Sequence, residues 1–166
     1  LSGAVKRLKG EAVIEKHEAS VDIKVDAYIP NSYIADNDMK IDIYKRIRDA
    51  GDVDAVDALA SELSDRFGKL PPEVAGLLEV QALRAACERA GVKRIGLTAG
   101  TVEAEFAPGF EPKPGRLRAA LKACKTPLEF DARAGLTMKF ASPGGRREAL
   151  RLGRNVLKQF ADSDRL

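Results

Sequence analysis

The hydrophobic and polar positions near the start of the chain predict a strand and then a helix. Apolar and polar residues alternate through residues 21–27, which is typical of a half-buried strand. Proline, asparagine and serine at residues 30–32 then interrupt the pattern. A helix capped by Asp36 or Asn37 is expected to follow and to continue to about Ala50.

Two further helices are predicted between residues 53 and 91. The helix Val53–Phe67 has the clearest pattern, and Gly68 follows it at the position where glycine commonly ends a helix. Its apolar stripe contains Val56, Leu59, Ala60, Leu63 and Phe67. The third helix begins at Pro71-Pro72, since proline is tolerated in a first turn, and ends at Gly91. Its predicted inward residues are Leu77, Val80, Leu83 and Cys87.

The pattern after residue 91 changes to short alternating runs separated by glycine-containing turns. The predicted elements are a hairpin of 94–97 and 101–106, a helix at 116–125, a hairpin of 128–132 and 136–140, and a helix at 143–160. Adjacent hairpins favour an antiparallel sheet. We therefore expect an α+β fold, with helices packed on one side of a mostly antiparallel sheet built from the N-terminal strand and the two hairpins.

Length and composition indicate a single globular domain. The 166 residues are 45% hydrophobic and 32% charged, which is enough apolar material for one core. We expect residues 19–166 to form this domain and residues 1–18, which have no strong pattern, to be a linker. No apolar run approaches the roughly 20 residues that cross a bilayer, so a cytoplasmic location is expected.

The charge is distributed unevenly along the chain. Residues 11–72 contain 14 acids and 8 bases, a net charge of −6, whereas residues 73–166 contain 11 acids and 17 bases, a net charge of +6. This polarity predicts surfaces of opposite sign. An acidic half also argues against a nucleic-acid interface that would cover the whole chain.

The sequence contains no arrangement of residues that indicates catalysis, a cofactor or a metal. It lacks the glycine-rich loop with lysine that binds nucleotide phosphates. His17 is the one histidine, and with Cys87 and Cys124 it has no zinc-site spacing. The acid pairs Asp36/Asp38 and Asp52/Asp54 lie where helix caps are needed, and capping is the favoured interpretation. We therefore expect no enzyme activity in this chain.

Two charged surfaces are candidates for binding. On the helix Val53–Phe67, Glu62, Asp65 and Arg66 lie together on a helical wheel and point away from the apolar stripe. Glu62 and Arg66 are four residues apart in the favourable order, so a local ion pair is the simpler explanation. A cluster of two acids and one arginine also suits a charged partner surface.

The second candidate is the basic run formed by Lys113, Arg116, Arg118 and Lys122, which is followed by Lys125 and contains no acid. Such charges supply much of the affinity for DNA or RNA. Aromatic residues for base stacking are scarce at 5%, with no tryptophan, and a solvated helix face is the simpler explanation. A further arginine pair follows Gly144-Gly145 at a helix start, where an anion could bind.

Several ordered motifs resemble a known family. They are AYIPNSYI and KIDIYKR at residues 27–46, ELSDRFG and KLPPEV at residues 62–74, and the paired leucines of the third helix. Together they are similar to the C-terminal domain of bacterial transcription-repair coupling factors over about residues 20–95. The segment AVKRLKGE at residues 4–11 resembles the exit from the family's motor domain, which implies that residues 1–18 are a linker remnant.

The resemblance implies a regulatory, non-catalytic domain of a DNA translocase. In that family the C-terminal domain packs on a UvrB-like module of the same protein, masks UvrA binding and restrains the motor until RNA polymerase is engaged. The helix matching ELSDRFG makes this contact, which implies a partner-binding role for Glu62, Asp65 and Arg66. Tyr28, Tyr33 and Tyr44 fall in the matched motifs and are expected to pack under the first helix. The alternative is a nucleic-acid-binding module that acts through residues 113–158.

Overall fold

The computed structural model of the chain describes residues 18–109 and 112–162. The helices in this part are α1 (Asn37–Asp49), α2 (Val53–Phe67), α3 (Pro72–Ala90), α4 (Pro114–Ala123) and α5 (Arg146–Asp162). The strands are β1 (Ser20–Asp22), β2 (Val92–Thr98), β3 (Thr101–Phe106), β4 (Glu129–Asp131) and β5 (Thr137–Ala141). The predicted linker, including His17, lies outside the described residues except for Glu18, and the domain boundary at residue 19 stays a prediction.

One five-stranded mixed sheet has the strand order β1-β2-β3-β5-β4. The strand β1 runs parallel to β2, and the other three pairings are antiparallel. The β2–β3 hairpin turns at Ala99 and Gly100, whose φ angles of 50° and 78° are both positive, as two-residue turns with the twist of a hairpin require. The α+β prediction with a mostly antiparallel sheet is confirmed.

One face of the sheet is buried by helices, as expected from the alternation in its strands. In β3 the side chains of Val102, Ala104 and Phe106 are buried, while Glu103 is exposed. On the outer face, the Nζ atom of Lys139 in β5 lies 3.6 Å from the Oε1 atom of Glu103. The helices α3 and α5 pack closely together over the buried face.

The predicted N-terminal strand is wrong in its extent, because pairing with β2 ends at Asp22 rather than near residue 27. Residues after Asp22 leave the sheet and run beside the start of α3, where the Tyr28 amide donates to the Glu73 carbonyl over 3.3 Å. A Cβ atom at Gly76 would collide with the Asp26 carbonyl oxygen. The alternation therefore predicts half burial correctly. Beyond Asp22, however, the half-buried segment packs on the helix α3 and is not paired with a strand.

Two buried clusters share the helix α3. The helical cluster joins α1, α2 and the first half of α3, and it consists of Ile29, Ile34, Ile43, Ile47, Ala50, Val56, Leu59, Leu63, Val74, Leu78 and Ala82. The sheet cluster joins the strands, α4 and α5 to the second half of α3 through residues such as Leu83 and Cys87. Burial raises the pKa of the Cys87 thiol to about 12, so this cysteine behaves as the buried apolar residue that the sequence predicts.

Helix boundaries follow their caps closely. The boundaries of α2 agree with the prediction residue for residue, whereas α4 begins two residues earlier than expected, at Pro114. Proline fits the first turn of a helix, where its missing N–H has no intrahelical partner. None of the described helices combines the length and hydropathy that crossing a membrane requires.

Candidate interaction surface

The helix α2 presents its charged residues outward because its opposite side is buried. Asp52 caps the helix, accepting a hydrogen bond from the Ala55 amide over 2.7 Å. Val56, Leu59 and Leu63 are buried in the helical cluster. Asp65 and Arg66 are exposed, and the side chain of Glu62 retains 40% of its accessible surface. The structure therefore brings the three predicted residues to one accessible face, which we call the α2 face.

Glu62 is held by an arginine that the sequence analysis did not identify. Arg46, near the end of α1, donates to both carboxylate oxygens of Glu62, with its Nη2 atom 2.9 Å from Oε1. The predicted local partner is farther away, since the Nη1 atom of Arg66 lies 3.8 Å from Oε2. No local spacing rule links residues 16 positions apart, so the packing of α1 beside α2 is needed to reveal this pair.

These contacts shift the ionisation of the pair. The hydrogen bond from Arg46 is the main cause that lowers the pKa of the Glu62 carboxyl, and the same bond raises the pKa of Arg46.

The other two residues of the α2 face differ in their contacts. Arg66 lies over its neighbour Phe67, with the guanidinium carbon 4.9 Å from the ring centroid. Asp65 has no hydrogen bond or ion pair with any residue in the described part of the chain. The α2 face thus combines a carboxylate of fixed orientation with one that is unpaired.

A shallow groove of about 450 Å³ borders the α2 face, between α1 and α2. Its lining comprises Arg46, Asp49, Ala50, Ala55, Ala58, Leu59 and Glu62. The pair Arg46–Glu62 therefore lies beside small apolar side chains. This arrangement suits a partner that offers positive charge next to an apolar group.

A tyrosine from the motif AYIPNSYI supports the C-terminal end of α2. The Tyr33 hydroxyl lies 3.0 Å from the Leu63 carbonyl oxygen and 2.9 Å from that of Gly68. Its ring contacts Phe67, with centroids 5.8 Å apart. Tyr33 is therefore packed as expected, but against the end of α2 and not under α1. The expectation is wrong for Tyr28, which is 50% exposed at the bend where the chain turns from β1 toward α1. It is also wrong for Tyr44, which lies on α1 itself and is 37% exposed.

The four residues of the basic run are associated with α4. Lys113 occupies the N-cap position of this helix without a side-chain capping hydrogen bond, and Arg118 and Lys122 lie four residues apart on it. These three are exposed and form no ion pair with any described residue, whereas Arg116 is half-buried. They form a small basic surface, which comes from a different part of the sequence than the α2 face.

Three arginines farther along make contacts within the chain. Arg146 donates to the Lys24 carbonyl over 3.2 Å, Arg147 donates to the Pro72 carbonyl, and Arg154 is paired with Asp57 over 2.5 Å. The Gly144 amide donates to the Glu148 carboxylate, which occupies the helix start considered for an anion. These arginines therefore join α5 to the rest of the domain, and the anion interpretation of this turn is not supported.

The predicted capping aspartates act as caps. The Asp36 Oδ1 atom accepts a hydrogen bond from the Asp38 amide over 2.9 Å, at the start of α1. Within residues 18–109 and 112–162, no group of three or more His, Cys, Asp or Glu residues is arranged to hold a metal ion.

Comparisons with known proteins agree with the sequence motifs. A family model described as the TRCF domain matches residues 23–117. The transcription-repair-coupling factor of Bacillus subtilis (strain 168) is 40% identical over 85 residues, which are 51% of this chain and 7% of that protein. That of Staphylococcus aureus (strain USA300) is 37% identical over 97 residues, 57% of this chain and 8% of that protein.

The fold comparison extends farther along the chain. A crystal structure of the C-terminal domain of a transcription-repair coupling factor superposes with a TM-score of 0.75 and 26% identity. The match covers 89% of this chain and 96% of that one, so it includes most of the sheet region. In contrast, the matched segment spans less than a tenth of the length of the curated relatives. Since the family model covers more than half of the residues, this chain belongs to the TRCF domain family.

Proposed function

We propose that this chain is the non-catalytic regulatory domain at the C-terminal end of a transcription-repair coupling factor, in the cytoplasm. In this proposal its α2 face packs on the UvrB-like module of the parent protein. The contact masks the surface that binds UvrA and restrains the DNA translocase until RNA polymerase is engaged. The observation that carries the proposal is the outward position of Glu62, Asp65 and Arg66 on a helix inside the family match.

The geometry of the α2 face suits reversible docking. Arg46 holds the Glu62 carboxylate in one orientation, which reduces the side-chain entropy lost when a partner binds. Asp65 lies one turn away with no partner in the described residues, so a basic partner surface gains an ion pair without breaking one. Charge-matched polar interfaces open more readily than large apolar ones.

The free energy required of this contact is modest. A closed-to-open ratio of about 100:1 corresponds to about 2.7 kcal/mol, because each tenfold change in a ratio is about 1.4 kcal/mol. Two charge-assisted contacts at a partly desolvated interface supply energy of this order. The α2 face therefore needs no large apolar area to keep the parent protein closed.

The test measures binding of this chain to the separately expressed UvrB-like module of its parent protein. Glu62→Ala with Asp65→Ala is expected to weaken binding by about tenfold or more, since basic groups of the partner lose both carboxylates. Glu103→Ala with Glu129→Ala removes the same charge from two exposed positions in the sheet, and it is the matched control. Raising the salt concentration is expected to weaken the wild-type complex and to have less effect on the α2 variant.

The same substitutions in the full-length parent connect binding with regulation. Release of the domain is expected to raise both UvrA binding and ATPase activity in the absence of RNA polymerase. Wild-type values of both quantities, in a variant with a native circular dichroism spectrum, would remove the α2 face from the proposal.

The alternative function is nucleic-acid binding through residues 113–158. It is favoured by three exposed basic side chains of α4 that form no ion pair with a described residue, namely Lys113, Arg118 and Lys122. Against it, Arg146, Arg147 and Arg154 make intramolecular contacts. A salt-dependent shift of duplex DNA by the chain would support this function. Arg118→Glu with Lys122→Glu should then abolish the shift, since each substitution removes a phosphate contact and places a negative charge beside the DNA backbone.

A further inference from the structure

A second groove lies between α1 and α3 and is not part of the α2 face. It has a volume of about 600 Å³ and is lined by Ala27, Ile41, Tyr44, Lys45, Ile47, Arg48, Leu77, Val80, Gln81 and Arg84. Most of these side chains are apolar. A cleft of this size is large enough to hold several side chains of a ligand.

One wall of the groove is an exposed stripe of α1. Ile41, Tyr44, Lys45 and Arg48 recur at helical spacing, so they share one side of this helix. Among the described residues, four large apolar side chains are exposed: Tyr28, Ile41, Tyr44 and Leu121. Two of these line the groove, and Tyr28 directly follows the lining residue Ala27. Clustering of exposed apolar side chains is typical of a binding surface, whereas scattered ones are common on any protein.

The charged residues of the lining all have the same sign. Lys45, Arg48 and Arg84 line the groove, and no carboxylate does. Neither Lys45 nor Arg84 forms an ion pair with a residue in the part of the chain that the structure describes, and the Nε atom of Arg48 is 3.9 Å from Asp49. An apolar floor with cations and no acids is complementary to a ligand that has apolar groups flanked by carboxylates.

Internal hydrogen bonds hold the walls of the groove in place. The Gln81 side chain on α3 donates to the Arg48 carbonyl over 3.3 Å and to the Ala50 carbonyl over 3.0 Å, which joins α3 to the end of α1. The Ile29 amide donates to the Tyr44 hydroxyl over 2.7 Å. The groove is therefore built into the packing of the helices, and a ligand would not have to order it.

We propose that this groove binds an amphipathic helix of another protein segment, with its apolar side against Ile41, Tyr44 and Leu77 and its carboxylates near Lys45, Arg48 and Arg84. A helix offers apolar side chains at positions i, i+3, i+4 and i+7, which match a groove between two helices. The apolar floor disfavours nucleic acid as the occupant, because phosphates and sugars gain little from apolar contacts. Arg46 lies about 100° or more around α1 from each residue of the stripe, so the groove and the α2 face can be occupied together.

The experiment selects ligands from a phage-displayed library of peptides of about 16 residues, with apolar residues fixed at helical spacing and the remaining positions random. The 166-residue chain is the target. Peptides enriched in Asp and Glu beside the apolar stripe are the expected result. Their affinity should fall about tenfold or more for Ile41→Asp and for Lys45→Glu, because these remove the apolar and the electrostatic contact, respectively.

Two control variants separate this groove from the rest of the surface. Leu121→Asp changes another exposed apolar residue, and Lys158→Glu changes an exposed lysine on α5. Both should leave peptide binding unchanged, and circular dichroism should show native helix content in all four variants. Failure to enrich any peptide, enrichment without acids, or binding that survives Ile41→Asp would each overturn the proposal. Dimerisation of the chain that Ile41→Asp abolishes would also overturn it, since the occupant would then be a second copy.

Discussion

Two regions of the molecule are related to known proteins in different ways. The helical region consists of α1, α2 and the first half of α3. The sheet region consists of the strands, α4, α5 and the second half of α3. The family model ends at residue 117, within α4, and therefore omits β4, β5 and α5. The structural match nevertheless covers 89% of the chain. The part of the sheet region from β4 to α5 thus keeps its fold with less recognisable sequence. The helical region contains both the recognisable motifs and the two surfaces proposed for binding.

The helix α3 is the element through which the two regions depend on each other. Val74, Leu78 and Ala82 belong to the helical cluster, whereas Leu83 and Cys87 belong to the sheet cluster. A helix buried on two sides loses packing when either cluster is damaged. Because both clusters depend on α3, we expect the two regions to unfold together despite their separate cores.

The largest expected effect follows from one truncation in each cluster. Leu63→Ala in the helical cluster and Leu83→Ala in the sheet cluster remove side chains that are 0% exposed. Each should lower the free energy of unfolding by about 2–5 kcal/mol, from lost burial and from the cavity that remains. Chemical denaturation of the purified variants measures this change.

Amide hydrogen exchange on the same variants tests the coupling through α3. Protection should fall in both regions for either variant, because global opening then limits exchange in both clusters. Loss of protection confined to the mutated region would show that the two regions unfold separately. Leu121→Ala on the surface of α4 is the control and should change stability little.

The next effect compares a glycine from each region. A Cβ atom at Gly76 would meet the backbone oxygen of Asp26, while at Gly153 it would lie 3.0 Å from the Leu83 Cδ1 atom and 3.3 Å from the Ile95 Cδ1 atom. Helix propensity alone would make alanine more stable by about 1 kcal/mol at either position. We expect Gly76→Ala to destabilise by about 1–3 kcal/mol, since a backbone atom must move, and Gly153→Ala to destabilise less, since side chains can adjust.

Thermal and urea denaturation of the two glycine variants measure this order. Gly51→Ala is the control for the steric effect of the added carbon, because no atom lies within 4 Å of it there. A gain in stability for Gly76→Ala would mean that the segment after β1 is not tightly packed on α3.

A smaller effect is expected from the aromatic contact of the helical region. The Tyr33 hydroxyl is bonded to carbonyl oxygens at the end of α2, whereas the comparable contact of the sheet region, Phe106 with Phe160 at 5.7 Å, has no hydroxyl. Tyr33→Phe should therefore lower the free energy of unfolding by about 0.5–1.5 kcal/mol. Tyr28→Phe, at a 50% exposed position, should change it by less than about 0.5 kcal/mol.

The smallest effect concerns one exposed ion pair in each region. Arg46 lowers the pKa of the Glu62 carboxyl, and Arg94 lowers the pKa of the Asp22 carboxyl, in each case mainly through a hydrogen bond. A carboxyl with a lowered pKa in the folded state stabilises the fold above its unfolded pKa of about 4. This contribution is lost as the pH falls through the folded pKa. Salt should screen both pairs, because they are exposed.

Carboxyl titration by NMR distinguishes the two pairs. In Arg46→Gln the pKa of Glu62 should rise toward its ordinary value while that of Asp22 stays lowered, and Arg94→Gln should have the reverse effect. An unchanged titration of Glu62 in Arg46→Gln would show that this arginine does not hold the carboxylate in solution.

The sequence by itself determined the features that depend on neighbouring residues. Asp52 and Gly68 mark the ends of α2 by local capping, Pro72 starts α3, and glycine at position 100 permits the β2–β3 turn. These signals act within a few residues, so composition and spacing are sufficient to read them. The same is true of the outward position of Glu62 and Asp65, which follows from helical periodicity.

Only the tertiary structure decided which distant residues meet. It ended β1 at Asp22 and placed the following segment on α3, it brought Arg46 to Glu62, and it directed Arg146 to a backbone carbonyl of that segment. It also formed the groove between α1 and α3 from residues as far apart as Ala27 and Arg84. Such contacts depend on how whole elements pack, and many partners satisfy the same local pattern, so the sequence alone does not select among them.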